Sequence, residues 1–84
     1  MKTRPTEAMA AVIKLMKLGW KLYNERTIDG SSWVAEPGRS GHVEWRTVNT
    51  KTFYGLRDRE FIALEQSKFP VDTYRLTEEG KNAV

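Results

Sequence analysis

Eighty-four residues make one domain, residues 1–84, and 14 Lys and Arg against 11 Asp and Glu leave a formal charge of +3. That length and balance argue against a multidomain enzyme and a strongly basic nucleic-acid tail. Leu, Ile, Val and Phe number only 18 of the 84 residues, so a thin core is expected, filled out by Trp, Tyr and Met and naturally supplemented by dimerisation.

Cysteine is absent, which removes disulfides and thiolate metal sites and fits a reducing compartment. The longest apolar stretch, Ala8 to Leu18, is broken by Lys14 and Lys17 and falls short of the ~20 residues of a membrane span. Lys2 and Arg4 are followed by Pro5 and Glu7 with no small-residue cleavage site. No membrane segment or secretory leader is expected, and the chain reads as cytoplasmic.

The first expected element is a helix from Thr6 to Leu18, with Thr6 as N-cap, Glu7 in the first turn, Lys17 in the last and Gly19 as the stop. Met9, Val12, Ile13 and Met16 form its apolar stripe at helical spacing. After Gly19 the period changes to two. Trp20 and Leu22 alternate with Lys21 and Tyr23, Asp29-Gly30 signals a turn, and Ser32-Trp33-Val34-Ala35 returns as the second strand of a hairpin. Glu36-Pro37-Gly38-Arg39-Ser40-Gly41 reads as a loop. Val43 and Trp45, alternating with His42 and Glu44, then suggest a third strand of the same sheet.

A second helix is expected over Thr50–Asp58, capped by Asn49 or Thr50, with Phe53 and Leu56 facing inward and Val48 stapling its start. Lys51, Thr52, Tyr54, Gly55 and Arg57 would form its outer face. Residues 61–65 read as a strand, 67–72 as a loop and 73–76 as the returning strand. Thr77 caps a last turn that carries Glu78 and Glu79 and that Gly80 limits.

Two stretches carry a family likeness. Val48-Asn49-Thr50-Lys51-Thr52-Phe53-Tyr54-Gly55-Leu56-Arg57-Asp58-Arg59-Glu60-Phe61-Ile62 looks like a recognition helix running into the first strand of a wing. Asp72-Thr73-Tyr74-Arg75-Leu76-Thr77-Glu78-Glu79-Gly80-Lys81 is similar to a second wing strand with a Leu-Thr-x-x-Gly ending. In this order, behind an N-terminal helix, they resemble the winged helix-turn-helix domains, particularly bacterial regulators of the multiple-antibiotic-resistance type. The sequence departs from that family twice. Glu60 stands where the family usually has a glycine in left-handed conformation, and residues 19–47 read as strands in place of the short support helix.

The resemblance implies an α+β winged-helix-like fold and a small bacterial or phage-type DNA-binding protein, a transcriptional regulator with helix 50–58 in the major groove. Thr50, Lys51, Thr52 and Tyr54 would then face base edges, while Arg46 and Arg57 would meet phosphates. Charge along the chain bears on this directly. Residues 1–26 carry +4, 27–38 carry −2, 39–59 carry +3 and 60–84 carry −2. A positive block therefore surrounds the candidate recognition helix. The wing is net −1, counting Glu60, Glu65 and Asp72 against Lys68 and Arg75, where a wing on the DNA backbone is normally basic.

Catalytic signals are weak. His42 is the only histidine, and with Glu44 it makes at most two ligands of a metal site. No Ser-His-Asp or Cys-His set can be assembled, and Gly38 and Gly41 lack the strand and helix of a phosphate loop. No enzyme activity, metal or cofactor is expected. Trp33 and Phe69 are read first as covers over the thin core and second, if exposed, as a partner surface. The alternatives to duplex DNA are therefore a protein-interaction module, including a homodimer, and single-strand binding through Trp33, Tyr54 and nearby cations.

Overall fold

The computed structural model describes residues 4–26, 30–36 and 44–84. Its elements are α1 (Glu7–Lys17), β1 (Lys21–Glu25), β2 (Ser32–Ala35), β3 (Trp45–Val48), α2 (Thr50–Asp58), β4 (Ile62–Lys68), β5 (Val71–Leu76) and α3 (Glu78–Asn82). The class is α+β, as expected. The strands form one antiparallel sheet in the order β3-β2-β1-β5-β4. Asp29 of the expected turn, the loop at 37–41, His42 and Val43 lie outside the described residues.

The helices start and stop for local reasons. Thr6 accepts from the Met9 amide at 3.2 Å, Asn49 from the Lys51 amide at 2.8 Å, and Thr77 from the Gly80 amide at 3.1 Å. Each cap satisfies a donor that the first helical turn leaves unpaired. α1 and α2 end in the same way. Gly19 and Trp20 donate back to Met16 and Leu15, and Glu60 and Phe61 donate back to Arg57 and Leu56. This double bond requires a left-handed residue just past the helix. Gly19 supplies it at φ 105°, and Glu60 supplies it at φ 60°. For a residue with a Cβ, that conformation costs on the order of 1 kcal/mol. Glu60 is held there by its neighbours, since its carbonyl accepts from the Thr77 hydroxyl and the Phe61 carbonyl accepts from the Thr77 amide.

All three helices cover one face of the sheet. Met9, Val12, Ile13 and Met16 of α1, with Phe53 and Leu56 of α2, close over Leu22, Val34, Val48, Ile62, Tyr74 and Leu76 from all five strands. Val48, next to the cap of α2, is buried in the same cluster, which is where a hydrophobic staple would hold it. No helix among the described residues is long and apolar enough to cross a membrane.

Several expectations need correction. The hairpin at 62–76 is longer than the sequence suggests, because Ser67 and Lys68 stay in register with Asp72 and Val71 and leave only Phe69-Pro70 as the connection. A bulge between Leu64 and Gln66 sets Glu65 outside the ladder, where its carboxylate meets Lys21 Nζ at 2.7 Å. Trp45 joins the sheet but faces away from the helices and is 59% exposed. Gly55 lies against Met9 of α1 instead of on an outer face. Gly80 sits inside α3, against the backbone of Phe61, and does not end the helix. Neither Trp33 nor Phe69 covers the core: Trp33 is half-buried on the open face of the sheet, and Phe69 is 73% exposed at the hairpin tip.

Candidate nucleic-acid interface

The six candidate residues fall into two groups. Lys51, Tyr54 and Arg57 stand on the solvent side of α2, with Thr50 beside them at its first position, while Phe53 and Leu56 anchor the opposite side. No carboxylate occupies the first turn, so the positive end of the helix dipole adds to the charge of Lys51. Tyr54 is 47% exposed, and the Arg57 guanidinium lies 4.7 Å from its ring centroid. That contact orders both side chains. Asp58, 4.0 Å from Arg57, is the one acid on this surface of α2 and offsets part of its charge.

Thr52 and Arg46 lie elsewhere. Thr52 is half-buried and shares a groove of about 440 Å³ with Arg46, Asn49, and Ala8, Ala11 and Leu15 of α1. Arg46 is engaged on three sides: by Glu44 at 3.0 Å, by the Trp45 carbonyl at 3.0 Å and by the Trp20 ring at 5.8 Å. Its charge is partly neutralised before any phosphate arrives. The structure thus brings together Thr50, Lys51, Tyr54 and Arg57 on one surface and separates Arg46 and Thr52 from them.

On the helix side of the sheet, toward the hairpin tip, lies a polar cluster that no sequence motif marks. Asp72 is buried on the helix side of the sheet, accepting from the Ser67 hydroxyl at 2.8 Å and pairing with Arg26 Nε at 3.2 Å. Next to it, Asn24 donates to the buried Ser32 hydroxyl at 2.9 Å. The Arg26 guanidinium also lies over the Phe69 ring at 5.6 Å, tying the hairpin tip to the end of β1. The available signal was an Asp inside an otherwise apolar alternation, Val71-Asp72-Thr73-Tyr74, which reads equally well as a loop.

Tyr74 links this cluster to α2. Its ring meets Phe53 edge-on at 5.1 Å and 78°. Burial raises its hydroxyl above the ordinary value of 10.0, the nearby Asp72 charge adds to the rise, and Arg57 and Arg26 pull the other way without cancelling it. The sign of the stability effect follows. Once the pH exceeds about 10, the unfolded chain gives up this proton while the folded chain keeps it, so stability falls as pH rises through the folded value. A Tyr74→Phe variant should accordingly lose less of its urea midpoint than the wild type between about pH 9 and pH 11. Equal losses would mean that Tyr74 ionises as an exposed phenol.

No family model, curated protein or solved structure matches this chain.

Proposed function

We propose that this chain is a winged-helix DNA-binding domain, a small transcriptional regulator that presents α2 to the major groove of duplex DNA. The observation that carries the reading is the join between α2 and the β4–β5 hairpin. Glu60 takes the left-handed conformation at φ 60° at the position where the resembled family usually has glycine. The join between helix and hairpin is therefore of the kind that links a recognition helix to a wing, and the outer face of α2 bears Lys51, Tyr54 and Arg57. In place of a support helix, β2 and β3 extend the sheet and Val48 enters the core just ahead of α2.

The test is a fluorescence-anisotropy titration with random-sequence duplex at low salt. Lys51→Glu, at a base-facing position, should weaken binding about tenfold, whereas loss of the Arg57 phosphate contact should flatten the salt dependence by about one unit of slope. Arg57→Gln should weaken it less, because Arg57 divides its contacts among Tyr54, Phe53 and Asp58. Absence of binding, or binding indifferent to both changes in variants that melt normally, would sink the reading.

A second reading, a non-enzymatic protein-interaction module, is favoured by the hairpin itself. Leu64 and Phe69 are 51% and 73% exposed there, on an element whose charges cancel, Glu65 and Asp72 against Lys68 and Arg75. A chain that is monomeric by light scattering and indifferent to DNA would favour this reading over the first.

A further inference from the structure

We propose that the open face of the sheet, opposite the helices, is a second binding surface that takes single-stranded nucleic acid by stacking its bases on Tyr23, Trp33 and Trp45. The proposal does not rest on duplex binding through α2, which lies on the other side of the sheet.

Strand register puts the three rings together. Tyr23 pairs with Trp33 across β1 and β2, and Trp33 pairs with Thr47 on β3, two positions from Trp45. Side chains alternate along a strand, so with Leu22, Val34 and Val48 turned to the helices, all three rings stand on the opposite face. Tyr23 and Trp33 are already stacked, with centroids 5.7 Å apart and planes 23° from parallel. Stacked on Tyr23, the half-buried Trp33 ring is ordered before any ligand arrives and keeps its other side, toward Trp45, for a further ring. Trp45 is diagonal to Trp33, and diagonal positions of an antiparallel pair are about 7–8 Å apart. That is close to the spacing at which one planar ring fits between two stacking partners.

The space between them is open. A cleft of about 500 Å³ lies between Trp33 and Trp45, lined also by Ser31, Ala35 and Thr47. Ala35, directly opposite Trp45, is too small to fill it. Ser31 and Thr47 add hydroxyl groups to its lining.

The surroundings select among ligands that carry planar rings. Arg75 is exposed on the same face, on the strand next to β1, and no carboxylate among the described residues pairs with it. Lys21 is nearby but is neutralised by Glu65 at 2.7 Å. A sheet-on-sheet dimer needs a continuous apolar surface, and this face is interrupted by Lys21, Thr47, Gln66, Thr73 and Arg75. Bases attached to phosphates match both the rings and the cations. Among the described residues this face carries the exposed Arg75 and, toward the hairpin tip, Lys68, with Glu25 as an acid beside Tyr23. With so few charges, stacking must supply most of the affinity, and the salt slope should be shallow, about −0.7 per phosphate met on a single strand.

Tryptophan quenching and anisotropy with a short labelled oligothymidylate test the proposal on the full chain. Binding should quench the fluorescence and depend only weakly on salt. Trp45→Ala, an exposed change, should weaken single-strand binding roughly fivefold or more, Trp45→Phe should retain most of it, and Lys51→Glu should leave it unchanged. Duplex binding in Trp45→Ala should stay at the wild-type level, so failure here and failure of the α2 reading are separable. Four results would overturn the proposal: no oligothymidylate binding, equal binding by Trp45→Ala, loss of single-strand binding in Lys51→Glu, or a wild-type dimer that Trp45→Ala converts to monomer. The last would assign the face to a second copy of the chain.

Discussion

Replacing Phe53 with Ala should cost about 3–5 kcal/mol, the range for deleting a fully buried aromatic ring. The ring is 2% exposed and does three things at once. It closes the core between α1 and the sheet, meets the Tyr74 ring edge-on at 5.1 Å, and lies 5.8 Å beneath the Arg57 guanidinium. Domains of this size are typically stable by only about 5–15 kcal/mol, so the variant should melt roughly 12 °C or more below the wild type, or fail to fold. Phe53→Leu keeps most of the volume and should cost under about 1.5 kcal/mol. If that variant folds, a second readout separates lost volume from lost shielding. Without the ring, water reaches Tyr74, its raised pKa relaxes, and the alkaline loss of stability should shrink. A Phe53→Ala variant no less stable than Phe53→Leu would mean that the ring is not packed as described.

Much of this fold was legible because its signals are local. Thr6 and Thr77 are cap residues directly ahead of helical patterns and cap as expected, and of the two candidates Asn49 and Thr50 it is Asn49 that caps α2. Gly19 ends α1 for the reason its position implies. The stripe of Met9, Val12, Ile13 and Met16 is buried as a unit, and helix 50–58 has the bounds that its Phe53 and Leu56 spacing gave. The hairpin at 62–76 was harder. Alternation marks a strand only where one face is covered, and beyond Ile62 and Ala63 the residues of β4 are exposed on both faces, so Ser67-Lys68 reads as the start of a loop. Asp72 adds to the ambiguity, because a buried carboxylate partnered by Ser67 and Arg26 cannot be told from a turn residue until the strands are paired.

The candidate site divides along the same line. Which α2 residues face solvent follows largely from the helical period, and Lys51, Tyr54 and Arg57 lie where that period puts them. Thr52 and Gly55 do not, because they meet α1, and no periodicity within α2 says on which side a second helix will pack. Nearness in sequence places Arg46 with the helix, yet it belongs to an edge strand and is occupied by Glu44. The row of Tyr23, Trp33 and Trp45 was invisible for a related reason. Each ring sits on a different strand, and whether the three share a face depends on two registers that a single-residue slip would invert.

Gly80→Ala tests the least legible of these contacts and should move stability against helix propensity. Alanine is favoured over glycine inside a helix by about 1 kcal/mol, so α3 considered alone would gain from the change. Tertiary packing reverses the sign. A Cβ at Gly80 would land on the Phe61 carbonyl oxygen and come within 3.0 Å of Leu76 Cδ2. Phe61 cannot yield cheaply, since its carbonyl accepts from the Thr77 amide and its own amide closes the end of α2. Relieving the clash means moving α3 off the sheet or breaking the bond that also holds Glu60 in place. The net loss should be about 2 kcal/mol, lowering the melting temperature by roughly 8–16 °C. Gly55→Ala is the control, because there a Cβ meets the end of the Met9 side chain and Arg59 Nη1, both of which can swing away. With the helix-propensity gain it should be neutral or slightly stabilising. Thermal melts of the two variants side by side decide the matter: equal effects at Gly80 and Gly55 would mean that backbone contact between α3 and Phe61 is not what requires glycine.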